Sequence, residues 1–223
     1  MLFTILKATQ DMHDVLIFGA SRGLGLCLAK ACILRGEKVA AMVRAESDTA
    51  ALSELGVSLI TGDAFSVDDC IAAIQQAGAS KVISVLGGKN AAGQRIDALG
   101  NLNVIEALEA AAPQIRFLLG TSLGCGDQWD SLAEGAQRML GEAIKAKNQA
   151  EQRLEQSTLA WMIARPAGLS HQPATGQYRV LAGRDDAGNY LPRADVASAM
   201  LEIFAEDERL HKAWTILGPV DPA

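Results

Sequence analysis

An α/β fold built on a doubly wound parallel sheet, with a small C-terminal substrate-cap region, is predicted by three observations. Short apolar runs alternate with helical stretches along the chain, those runs are apolar throughout, and a glycine-rich turn joins the first run to the first helix. A strand with one wet face alternates apolar and polar residues, whereas a strand covered on both faces does not. The second observation therefore places helices on each side of the sheet. Right-handed crossovers then wind successive units outward in both directions. The 223 residues suffice for one such domain, and a composition 49% hydrophobic but only 4% aromatic predicts a core of Ala, Leu, Ile and Val.

The elements follow in order. Residues 1–13 read as an N-terminal arm, and 14–223 as a single domain. The first strand opens at Val15 in "VLIFGASRGLGLCLAK" and hands over to a helix over 23–35. "KVAAMV" (38–43), "VSLIT" (57–61), "KVISVLG" (81–87), "IRFLLGTS" (115–122) and "LAWMIARP" (159–166) supply the next strands. Helices are predicted over 67–77, 95–111 and 134–156. Ser66 caps the first of these ahead of two aspartates, and Pro113 closes the second. Beyond Pro166 the alternation fails, and Gly, Pro and Asp at turn-like intervals surround one strand, "QYRVL". The cap elements are placed here, within 167–193. A helix, "RADVASAMLEIFAED", and a strand, "AWTILG", complete the chain.

A formal charge of −6 with no basic block argues against nucleic acid as a partner. Cys27, Cys32, Cys70 and Cys125 form no CxxC pair and sit among apolar neighbours, which reads as free buried thiols in a reducing compartment. The three histidines have no companions at ligand spacing, so no metal site is expected. The opening "MLFTILKATQDMH" has too short an apolar run for a membrane span, and lacks the basic start and small-residue cleavage site of a signal peptide. A cytoplasmic monomer or homodimer acting on a small-molecule substrate, away from membranes, is expected.

The glycines carry the functional reading. Gly19, Gly23 and Gly25 form G-x-x-x-G-x-G, a variant of the dinucleotide fingerprint G-x-G-x-x-G, at a strand-to-helix handover inside a unit of roughly 30 residues. Gly19 permits the tight turn, Gly23 clears space for a diphosphate, and Gly25 lets the helix lie close to the sheet. The diphosphate then meets free N–H groups at the helix N-terminus. Ser21, Arg22 and Leu24 complete this loop. At the end of the second strand Arg44 stands where an NAD binder carries an acid, so NADP(H) is the expected cofactor. A guanidinium forks onto the 2′-phosphate that a carboxylate would repel. Arg22 offers a second positive contact, and for both arginines a solvated surface position is the alternative.

These residues resemble the short-chain dehydrogenase/reductase superfamily of Rossmann-fold proteins, from about Val15 to the C-terminus. "TGDAFSVDD" (61–69) is similar to its segment after the third strand, which implies that Asp63 and Ala64 contact adenine. "VISVLGGKN" (82–90) resembles the strand end lying along the cofactor, carried over to Leu86, Gly87 and Gly88. "KNQAEQRLEQSTLAWMIARPAGL" (147–169) is similar to the atypical, NmrA-like branch. "LLGTSLGCGDQWD" and "HQPATGQYRVLAGR" resemble the biliverdin-IX-beta reductase/flavin reductase-like family within it. That resemblance implies Ser122 as an active-site serine, with Thr121 and Pro166 along the cofactor. It departs at Gly168, where the related loop carries a histidine, and at Ala143, where typical members have a tyrosine four residues before Lys147.

A conjugated acceptor delocalises incoming electrons and tolerates the missing phenol, with Ser122 bonding substrate or nicotinamide amide and solvent supplying the proton. Lys147 reads either as a ribose ligand or as a solvated lysine. His171 reads as a proton relay or a surface residue, and Trp129 as an aromatic wall or a core cover. Cys125 has no basic partner to form a thiolate. The expected function is NADPH-dependent hydride transfer to a flavin, tetrapyrrole or similar acceptor. The alternative is a non-catalytic NADP(H)-sensing protein. Sugar-nucleotide epimerisation needs the tyrosine that Ala143 replaces.

Overall fold

A computed structural model describes residues 12–90, 92–183 and 190–219. In chain order the elements are β1 (Val15–Phe18), α1 (Gly23–Leu34), β2 (Val39–Val43), α2 (Ala50–Glu54), β3 (Ser58–Thr61), α3 (Val67–Ala77), β4 (Lys81–Ser84) and α4 (Ile96–Ala111). There follow β5 (Arg116–Gly120), a 3₁₀ turn (Gly126–Ser131), α5 (Glu134–Glu155), β6 (Ala160–Pro166), β7 (Leu169–Ser170) and β8 (Arg179–Leu181). The last are β9 (Leu191–Pro192), α6 (Arg193–Ala205), a 3₁₀ turn (Asp207–Arg209) and β10 (Ala213–Leu217).

The main sheet runs β3-β2-β1-β4-β5-β6-β10-β8, all parallel except the antiparallel β8 at the edge. Alternate residues of each central strand feed two separate cores, as a double-faced sheet requires. Val15 and Ile17 pack on one face with Leu28 of α1 and Met200 of α6. Leu16 and Phe18 pack on the other with Ile74 of α3, Ile105 of α4 and Leu154 of α5. The doubly wound parallel sheet predicted from the apolar runs is thus the fold.

Ser66 caps α3 by accepting a hydrogen bond from Asp69 N at 3.2 Å, and Gly78 ends the helix in the left-handed region. Three details differ from the sequence reading. A five-residue helix, α2, fills the stretch before β3. It is too short to show periodicity and is held by one fully buried side chain, Leu52. The "QYRVL" strand joins the main sheet as β8 through antiparallel pairing of Ile216 with Val180. β4 ends at Ser84, with Val85 N still donating to Phe18 O of β1 at 3.0 Å. Within the 167–193 segment, β7 and β9 form a separate two-stranded pair, and residues 184–189 lie outside the described residues. So does the N-terminal arm except Met12 and His13, the latter with Nδ1 2.8 Å from Ala77 O. Among the described residues no helix is long and apolar enough to cross a membrane.

Candidate functional site

The sheet order reverses direction between β1 and β4, the kind of switch point at which open α/β sheets leave a crevice beyond the C-terminal strand ends. A cleft of about 310 Å³ opens at that point, walled by the loops after β1, β2, β3 and β4. The loop after β1 is built from close approaches. A Cβ on Gly25 would lie 2.0 Å from Gly19 O, so α1 starts hard against the end of β1. Gly19 itself has φ +87° and would press a Cβ to 3.1 Å from the Val85 backbone. No side chain caps α1, and no acid stands in its first turn. Its free N–H groups and positive dipole end therefore face the cleft, a donor set suited to a diphosphate.

Arg44 lies on the cleft wall past β2. It is more than half exposed and pairs with Glu46 at 3.1 Å. The loop after β3 carries Asp63 and Ala64, fixed internally by Asp63 Oδ1 accepting from Phe65 N at 3.0 Å and Asp69 Oδ2 accepting from Asp63 N at 2.8 Å. Asn103 of α4 donates to Ala64 O at 2.9 Å and ties this loop to the neighbouring helix.

The loop after β4 holds Leu86, Gly87 and Gly88, also on the cleft wall. Beneath them runs a buried polar ladder. Ser84 Oγ donates to Asn101 Oδ1 at 2.5 Å, and Asn101 Nδ2 donates to Asp97 O at 2.8 Å. The Asp97 carboxylate accepts from Gly88 N at 3.0 Å and from Arg95 at 3.3 Å, and pairs with Lys147 Nζ at 3.2 Å. Lys147 is therefore engaged by a buried carboxylate rather than free in solvent. A Cβ on Gly87 would lie 3.5 Å from its Nζ, which sets the ammonium directly behind the cleft wall.

Ser122, Thr121 and Pro166 stand outside the cleft lining, at the ends of β5 and β6. Leu123 N donates to Pro166 O at 2.8 Å and Thr121 N to Ala164 O at 2.8 Å, so the two strand ends stay joined around Ser122. The Ser122 hydroxyl finds no hydrogen-bond partner among the described residues. Thr121 Oγ1 instead donates to Glu151 Oε1 at 2.5 Å. Glu151 also receives Arg165 Nη2 at 2.7 Å, and Arg165 Nη1 reaches Asp127 at 2.6 Å. Burial alone would depress the Arg165 guanidinium, yet the carboxylates of Glu151 and Asp127 hold its pKa above the usual value.

Of the remaining candidates, His171 is exposed and Trp129 packs on α5, where a Cβ on Gly141 would meet its ring at 3.1 Å. Cys125 is buried, its thiol pushed up to about 12 chiefly by burial. The cleft also includes Met42, Phe65, Lys89, Asn90 and Ile96, which the sequence reading did not single out. The buried Asp97 was missed too. Its one signal was an acid in the first turn of α4.

Comparison with known proteins gives the following. A family model described as NAD(P)H-binding matches residues 19–207. The structure of ChuY, an anaerobilin reductase from Escherichia coli O157:H7, is 32% identical with a TM-score of 0.81, the match covering 94% of this chain and 100% of that one. A short-chain dehydrogenase/reductase of Veillonella parvula DSM 2008 in complex with NADP shares the fold at a TM-score of 0.74 and 15% identity, over 93% of this chain and 96% of that one. A Bacillus subtilis (strain 168) protein named as the uncharacterized sugar epimerase YhfK is 28% identical over 181 residues, 80% of this chain and 81% of its own.

Proposed function

The chain belongs to the NAD(P)H-binding family, and from that premise we propose that it is an NADPH-dependent reductase transferring hydride to a flavin, tetrapyrrole or similarly conjugated acceptor. The residues present fit the cofactor. The open N-terminus of α1 and the Gly19–Gly25 loop would hold its diphosphate, and Arg44 its 2′-phosphate. The loops after β3 and β4 would hold its two ends. When bound, the reduced nicotinamide supplies a hydride.

The observation that carries this reading is an intact dinucleotide cleft beside a helix face without a phenol. Ala143 stands one turn before Lys147 on α5, and both tyrosines of the chain lie elsewhere. Tyr178 donates to Glu202 at 3.2 Å, and Tyr190 lies against Gly168. With no phenol on α5 to deliver a proton, an acceptor that delocalises charge is favoured over a simple ketone. The likeness to an anaerobilin reductase supports a tetrapyrrole among the acceptors. The same missing phenol disfavours the epimerisation named for the Bacillus relative.

The remaining groups divide the work. Ser122, whose hydroxyl has no partner among the described residues, bonds the acceptor or the nicotinamide amide, and solvent delivers the proton. Lys147, held by Asp97, keeps positive charge behind the Gly87–Gly88 wall. The test is NADPH oxidation by the purified chain with FMN or a tetrapyrrole as acceptor. Acceptor-dependent oxidation is expected. Tight NADPH binding with no turnover across a broad acceptor panel would instead assign the chain to the NADP(H)-sensing class.

A further inference from the structure

We propose that Arg193 is a second phosphate-binding arginine of the cofactor cleft, one that grips the diphosphate shared by NADH and NADPH. The inference rests on the NAD(P)H reading of the cleft and names a residue that no motif in that reading supplied. Arg193 is the first residue of α6, far in sequence from the glycine loop, yet its Nε lies 3.6 Å from where a Cβ on Gly23 would stand. Because residue 23 lacks a side chain, the guanidinium can approach the start of α1. One of its N–H groups is spent: Nη1 donates to Ser170 O at 2.8 Å, which fixes the fork in place.

Among the described residues nothing compensates the charge. Arg193 is half-buried and makes no ion pair with a described residue. The nearest acid on its own helix, Asp195, is committed to the 175–176 turn, accepting from Thr175 N at 2.9 Å, Thr175 Oγ1 at 2.7 Å and Gly176 N at 3.0 Å. The guanidinium also stands at the positive end of α6 and beside the positive end of α1, whose first turn has no acid. A cation at a helix N-terminus opposes the dipole, and two such ends with no anion repel it further. A diphosphate seated on α1 removes that repulsion and meets a planar fork made for phosphate oxygens.

Arg193 is thereby distinguished from Arg44. Arg44, on the cleft wall, is placed to select between the cofactors, whereas Arg193, outside the cleft lining but beside Gly23, is placed to reach the part they share. Calorimetric titration of NADPH and NADH into wild type, Arg193→Gln and Arg193→Lys separates the roles. The Gln variant should weaken both cofactors by the same factor, about tenfold or more. The Lys variant, which keeps the charge and loses the fork, should fall between it and wild type. Should the Gln variant not fold, the Lys variant decides alone, through an equal loss for both cofactors. Unchanged affinity for both in a folded variant overturns the inference, and so does a loss confined to NADPH. A wild-type chain that binds neither cofactor defeats the proposed function itself. A wild-type chain that binds both, with variants that bind equally well, defeats only the role of Arg193.

Discussion

The two halves of the cleft are held by different physics. Around β1, β2 and β3 the wall is made of backbone: Gly19 and Gly25 approach main-chain atoms, and α1 begins with bare N–H groups. The loop after β4 is backed by buried side chains, with Asp97 gathering Gly88 N, Arg95 and Lys147, and the strand ends of β5 and β6 beyond the cleft are joined by Glu151, which gathers Thr121 and Arg165. A diphosphate is the same in every dinucleotide, and main-chain amides at a helix N-terminus are suited to it. Under the proposed function the reacting end would need a fixed geometry against an acceptor, and buried charge networks supply such rigidity at high energetic stakes.

The largest effect should fall on the second half. Glu151→Ala strips the buried Arg165 of its buried partner, leaving only the exposed Asp127, and should cost about 3–5 kcal/mol of stability in denaturant melts. A loss below about 1 kcal/mol would mean that water replaces the carboxylate and that the halves differ less than described. Gly25→Ala is the matching challenge to the first half. Its Cβ would collide with the backbone of Gly19, and overpacking of this kind should cost about 1–3 kcal/mol. NADPH binding should be lost along with it, and an alanine variant that binds normally would dissolve the backbone account.

Next is Arg44→Ala, which should weaken NADPH by about 1.5 kcal/mol and leave NADH unchanged, the low end for a charge-assisted contact. The modest size follows from the exposure of Arg44 and from Glu46, which a phosphate must displace. Glu46→Gln should accordingly tighten NADPH. Ser122→Ala should lower kcat by about tenfold with little change in NADPH affinity. Unchanged steady-state kinetics would relegate the serine to structure.

The smallest effect near neutrality is on pH. Burial pushes the thiols of Cys32, Cys70 and Cys125 from 9.0 up to about 12. Their neutral forms are favoured in the fold, while the unfolded chain ionises above its ordinary thiol value. Stability should therefore be flat up to about pH 9 and decline from there towards 12. Thermal melts that stay level across that range would contradict the burial of these three groups.

The contrast also explains what the sequence disclosed. Strands such as "VLIF" and "KVISVLG" were legible because both faces are apolar, and the glycine loop because three glycines at a strand-to-helix turn have few other uses. That Arg44 lies on the cleft wall was legible from its position after the second strand. The second half was less so, because its contacts join residues remote in sequence: Thr121 with Glu151 and Arg165, Ser84 with Asn101, Gly88 with Asp97. No local pattern marks such pairs. α2 escaped for a different reason, since one buried leucine in five residues leaves no period to read. The edge strand β8 was visible as a strand, but its antiparallel pairing with β10 joins residues remote in sequence, such as Val180 and Ile216.

The most direct test of the account is a side-by-side calorimetric titration of NADPH and NADH into the intact chain. The account predicts one-to-one binding of NADPH at least about tenfold tighter than NADH, through the guanidinium beyond β2. Equal affinity for the two cofactors, or tighter binding of NADH, would contradict it.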